Sequence, residues 1–108
     1  MGMTLREICD TVKVSRRAVQ GYEKAGLVSA SGKNRYGYLI YDVHSQERIR
    51  KIKLFQELGF SLKEIKDIID APNPVLRAAL EKRVEELQAR REQLDFLIEM
   101  AYELIDTL

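Results

Sequence analysis

The sequence has one cysteine, one histidine, two prolines and no tryptophan in 108 residues. A lone Cys9 excludes an intrachain disulfide and a cysteine-based zinc finger. With His44 as the single histidine, no His or Cys/His cluster stands at metal-ligand spacing, so neither a metal nor any other cofactor is expected. No run of about 18 apolar residues is long enough to span a membrane. The N-terminal MGMTLREICDT lacks the apolar core of a signal peptide. A phosphate-cradling glycine loop, a nucleophile–base pair and a carboxylate dyad are also missing, which argues against an enzyme. These absences lead us to expect an intracellular, cytoplasmic protein that is not an enzyme.

What is present is 45% apolar and 32% charged, enough for a compact core beneath a solvated surface. The formal net charge of +1 hides an asymmetry. Residues 1–58 hold 11 Lys/Arg against 6 Asp/Glu, whereas residues 71–108 hold 5 against 8. A basic front half suits a polyanionic partner, and the acidic tail must serve some other purpose.

Thr4-Leu5-Arg6-Glu7 has the form of a capping box. Leu5, Ile8, Cys9 and Val12 follow at helical spacing, which predicts a first helix of two or three turns with Cys9 packed and inert. Ser15 is placed to cap a second helix running to about Ala25 and stopped by Gly26. Ala18, Val19, Tyr22 and Ala25 share one side of it, and Arg16, Arg17, Gln20, Glu23 and Lys24 the other, with Gly21 at the border. Two short helices joined by a tight turn along one apolar seam make a helix-turn-helix. The polar side has the chemistry of a groove reader, since Arg donates bidentately to guanine, Gln pairs with adenine, and Arg or Lys grips phosphates. A solvated amphipathic helix is the other reading of this stretch alone. Gly21 costs about 1 kcal/mol of helix propensity, and its missing side chain would let the helix approach a neighbouring surface closely.

Ser29–Tyr41 reads as a small β-hairpin, a wing, with Gly32 and Asn34 as turn formers and Lys33 and Arg35 at its tip. Asp42 or Ser45 caps a third helix with a buried stripe of Ile49, Ile52, Phe55 and Leu58, and His44 is expected at its solvated start. Ser61-Leu62-Lys63-Glu64 is a second capping box, opening a fourth helix. The DAPNP stretch breaks the chain, dividing a domain over residues 1–70 from a tail over 71–108, with Asn73 as cap and Pro74 in the first helical position. Beyond it Leu80, Val84, Leu87, Arg91, Leu94, Ile98, Ala101, Ile105 and Leu108 alternate steps of four and three, the pattern of a dimerising coiled coil with one polar interruption at Arg91. Phe96, Leu97, Met100 and Leu104 widen the apolar surface.

These residues resemble the MerR family of bacterial transcription regulators. The similarity lies in Tyr22-Glu23 with Gly26-Leu27, Gly37-Tyr38 with Tyr41, and Leu58-Gly59-Phe60-Ser61-Leu62 with Glu64-Ile65, all in order over nearly the whole chain. It implies a mainly α fold: a winged helix-turn-helix, a second helix pair and a long antiparallel coiled-coil helix. It implies a homodimer on a palindromic promoter, whose DNA it bends and untwists for RNA polymerase. The candidate DNA-binding residues are Ser15, Arg16, Arg17, Gln20, Tyr22 and Lys24, then Lys33, Asn34, Arg35 and Tyr38 on the wing, and Arg48.

This chain departs from the family in three ways. Gln20-Gly21-Tyr22-Glu23 stands where relatives read Arg-Tyr-Tyr-Glu, and Leu39 follows Gly37-Tyr38 where relatives place Arg. The third departure is that no effector-binding region or sensor cysteines accompany the coiled coil, which disfavours a metal or redox sensor. The competing function is a protein–protein module of the anti-repressor type, using the coiled coil after DNA binding has decayed.

Overall fold

A computed structural model describes residues 2–108 and divides the chain between Ala71 and Pro72 into two compact units. The first opens with β1 (Met3–Thr4), α1 (Leu5–Val12) and α2 (Arg16–Lys24), followed by β2 (Gly32–Lys33) and β3 (Leu39–Tyr41). It closes with α3 (Val43–Glu57) and α4 (Leu62–Ile68); the second unit is α5 (Asn73–Asp106). This is the expected winged helix-turn-helix with a second helix pair and a long C-terminal helix.

Local chemistry sets the boundaries. Both capping boxes form: Thr4 Oγ1 accepts from Glu7 N–H, and Ser61 Oγ accepts from Glu64 N–H. Ser15 Oγ accepts from Ala18 N–H at 2.9 Å to start α2. Gly26, at φ 76°, ends that helix in a Schellman arrangement, with Leu27 N–H donating to Tyr22 O at 3.0 Å. The turn between α1 and α2 places Lys13 in the left-handed region at φ 63°, an unusual setting for a residue other than glycine. Lys53 Nζ donates to Val12 O at 3.0 Å and satisfies a carbonyl at the end of α1.

The core of the first unit joins every helix of it: Ile8, Val19, Ile49, Ile52 and Ile65 are fully buried. Leu58, expected in the α3 stripe, is only half-buried. His44 is exposed, and Cys9 is partly exposed.

Four details differ from the sequence expectation. A third strand exists: β1 pairs antiparallel with β3 (Met3 opposite Tyr41, Thr4 opposite Ile40), giving the order β1-β3-β2. Two residues ahead of a helix cap are too short to show strand alternation. Secondly, Gly32 and Lys33 form β2 and do not lie at the hairpin tip, because Gly32 pairs with Ile40 and Lys33 with Leu39. Thirdly, Asn73 is the first residue of α5 and Pro72 its cap, with no side-chain cap bond. The extended backbone of Pro72 (ψ 150°) places the turn into the helix one residue early. Lastly, α5 ends at Asp106, so Leu108, counted in the coiled-coil seam, lies beyond the helix and is fully exposed.

No residue of α5 is buried. Along its 34 residues Val84, Leu87, Leu94, Ile98 and Ile105 remain 40–58% exposed. No helix among the described residues is long and apolar enough to cross a membrane.

Candidate nucleic-acid interface

The sequence of α2 divides its side chains by angle, at roughly 100° per residue. Val19 and Tyr22 are buried, whereas Arg16, Arg17, Gln20 and Lys24 are exposed. Arg17, Gln20 and Lys24 form the centre of the outer face, with Arg16 at one edge and Gly21 at the other. None of Arg16, Arg17 and Lys24 is ion-paired among the described residues, so their donors are available to a ligand.

The α2 residues Tyr22 and Glu23 bond to partners within the chain. Tyr22, a candidate DNA contact, is 2% exposed, and its hydroxyl donates to Gln56 Oε1 at 2.7 Å. It is a core residue tying α2 to α3, because its position on the helix faces the seam; burial first, and then Glu57, raises its pKa. Glu23 accepts a hydrogen bond from the hydroxyl of Tyr41, which is 1% exposed. Burial and this bond push the Tyr41 pKa far above the ordinary phenol value, so it donates at any physiological pH. The pair fixes β3, and with it the wing, against α2. Ser15 acts as the α2 cap.

The wing turn is built by Asn34. Its Oδ1 accepts from Tyr36 N–H at 2.9 Å and Tyr38 N–H at 3.1 Å, while Gly37, at φ 83°, donates to Asn34 O. The side-chain carbonyl of Asn34 therefore shapes the tip. What the tip presents is Arg35, stacked 4.9 Å from the Tyr36 ring centroid, with Tyr36 and Tyr38 both largely exposed. Tyr36 was not among the candidate residues, although an aromatic next to Arg in a turn is a usable signal. At the wing base, Asp42 caps α3 through Ser45 N–H, and Ser31 Oγ accepts from Asp42 N–H, both at 2.9 Å. The Ser45 N–H first, and then a side-chain hydrogen bond from Ser31, hold the Asp42 carboxyl below its usual pKa.

Arg48, another candidate DNA contact, is held by partners within the chain. Its guanidinium makes a bidentate pair with Asp70, both bonds 2.7 Å, and its Nε donates to Leu27 O. The fork geometry suits a carboxylate, so the residue clamps α3 to the segments after α2 and α4. The hydrogen bond raises the Arg48 pKa and lowers that of Asp70.

A cleft of about 570 Å³ separates the wing from the starts of α1 and α2. Arg6, Arg16 and Tyr38 line it over apolar Leu5 and Leu39.

A Cβ built on Gly21 meets nothing within 4 Å, so packing within the chain does not require glycine there. Gly21→Ala should raise stability by about 0.5–1 kcal/mol in thermal or urea unfolding, through helix propensity. If the bare backbone serves close approach to a groove, duplex affinity falls in the same variant. Higher stability with unchanged affinity would refute that use of the glycine.

Comparison with known proteins places this geometry. Residues 3–72 match the model of the MerR HTH family regulatory proteins, and residues 46–100 that of the MerR DNA-binding family. The chain is 31% identical over 99 residues to the HTH-type transcriptional activator mta of Bacillus subtilis, covering 92% of this chain and 38% of mta. It is 36% identical over 84 residues to the multidrug-efflux transporter 2 regulator of the same organism, covering 76% and 31% of the two chains. The chain thus spans about two-fifths of the length of the curated relatives it matches. Among solved structures, the N-terminal part of the B. subtilis multidrug transporter activator superposes with a TM-score of 0.76 at 29% identity, covering 95% of this chain and 97% of that one. HiNmlR, a MerR family regulator lacking the sensor domain and bound to promoter DNA, shares the fold at a TM-score of 0.70 and 21% identity, covering 92% and 80%.

Proposed function

The chain belongs to the MerR family of helix-turn-helix regulatory proteins, and from that premise we propose that it binds a palindromic promoter site as a homodimer and regulates transcription there. The observation that carries this is the unpaired outer face of α2, where Arg17, Gln20 and Lys24 stand together on a helix capped at both ends and braced to a wing. Such a face reads base edges, and the wing, with Lys33, Arg35 and Tyr38, meets the sugar–phosphate backbone.

The dimer reading rests on α5. A helix with a heptad seam from Leu80 to Ile105 and no buried residue has apolar surface that a second copy would cover. A two-fold dimer presents two α2 helices by symmetry, which is why the site is palindromic. Family resemblance adds bending and untwisting of the DNA between half-sites, with RNA polymerase as the partner that reads the deformed promoter.

Titration of the full chain against promoter and random duplexes at several salt concentrations tests this. Tighter binding to the promoter together with salt-dependent binding to both is expected; no binding to either duplex would refute it. Within the same series, Arg35→Gln should make the salt dependence shallower by about one phosphate contact, near 0.9 in log–log slope. An unchanged slope would remove Arg35 from the backbone contacts.

A further inference from the structure

We propose that Arg6, together with Arg16 and the hydroxyl of Tyr38, clamps a backbone phosphate of bound duplex DNA in the cleft between the wing and the starts of α1 and α2. The inference rests on the DNA-binding reading above and adds to it a residue that the α2 face and the wing do not include.

Three observations converge. Arg6, Arg16 and Tyr38 come from three different elements, yet they line one cleft of about 570 Å³. Neither arginine is ion-paired among the described residues, and both are exposed. Both also sit where a cation is unfavourable: Arg6 is the second residue of α1 and Arg16 the first of α2. There each stands at the positive end of its own helix dipole. An anion between them would relieve both repulsions, and two guanidinium forks with a phenolic hydroxyl match the oxygens of a phosphodiester.

The source of that anion follows from the neighbouring residue. Arg17, next to Arg16, lies on the outer face of α2, so the cleft borders the end of the helix that would enter a groove. Groove walls are phosphate strands, so the group arriving at the cleft is a backbone phosphate and not a base edge. Leu5 and Leu39 add apolar surface to the cleft lining beside these groups.

The test uses the full chain and a random-sequence duplex of about 30 base pairs, titrated between roughly 50 and 200 mM salt. Arg6→Gln should reduce the log–log slope by about 0.9 and weaken binding roughly eightfold near 0.1 M salt. Arg6→Lys should retain the slope, and Lys82→Gln on α5, which removes the same charge elsewhere, should leave it unchanged. Circular dichroism melts establish that each variant is folded, and Tyr38→Phe provides a second variant, losing affinity without a change in slope. An unchanged slope in Arg6→Gln, while the wild-type chain binds DNA, overturns the clamp and leaves the DNA-binding reading intact. Inorganic phosphate bound to the DNA-free chain, together with that unchanged slope, marks a small-anion site and also overturns it. Failure of the wild-type chain to bind any duplex overturns both readings.

Discussion

Leu94→Asp in α5 is expected to convert the proposed dimer into a monomer and to weaken promoter binding by roughly 10²- to 10⁴-fold through lost avidity. Leu94 is 43% exposed in the single chain and occupies a seam position between Arg91 and Ile98. Burying a leucine fully contributes about 1.5–3 kcal/mol, and the two-fold axis doubles the loss. A carboxylate forced into the seam adds desolvation to that cost. Arg91 already interrupts the seam: it is exposed and has no ion pair among the described residues. Near the middle of an antiparallel pair it would approach its symmetry mate, and Glu85, Glu92 and Asp95 are the acidic residues close enough in sequence to offset it. A polar residue at such a position specifies register at some expense in stability. Sedimentation equilibrium decides the first part, and duplex titration the second. A Leu94→Asp chain that remains dimeric would refute the seam, and a monomer with undiminished promoter affinity would refute the avidity argument.

The fold was legible where signals were local and redundant. Thr4 with Glu7, Ser61 with Glu64, Ser15 and Gly26 each announce a helix end, and each is found there. Periodicity separated Val19 from Arg17 on α2 for the same reason: one turn of helix carries the whole argument. The strand Met3–Thr4 was invisible, because its two residues are held only by pairing with β3, some 36 residues away in sequence. The roles of individual polar side chains were the least legible. Arg48 and Arg17 look alike in sequence, but Asp70 lies 22 positions from Arg48 and engages it completely, whereas Arg17 has no such partner. Tyr22 was the reverse case: its place on the apolar side of α2 already marked it as core, and family resemblance outweighed that periodicity. Arg6 was overlooked because only the folded sheet and the α1–α2 turn bring it to the cleft shared with Arg16 and Tyr38.

With Tyr22 in the core and Glu23 and Arg48 bonded within the chain, the proposed sequence readout falls to Arg17 and Gln20, with Lys24 one turn further along. Arg17 is the second residue of α2, where a recognition helix meets base edges. Its guanidinium is free of carboxylates, so a bidentate contact to guanine requires no internal pair to be broken first. Arg17→Ala should therefore weaken promoter binding by about 1–3 kcal/mol per contact, roughly 5- to 150-fold, and relax base preference at one position in each half-site. Random duplex should suffer much less, because its affinity comes from phosphate contacts made elsewhere. Binding of the variant to promoters substituted singly at each position locates the base it reads. If promoter and random duplex weaken equally, Arg17 is a phosphate ligand, and Gln20 is left as the discriminating residue on this face. Gly21 would then matter more than its size suggests, since a glutamine reaches an adenine edge only when the helix lies deep in the groove.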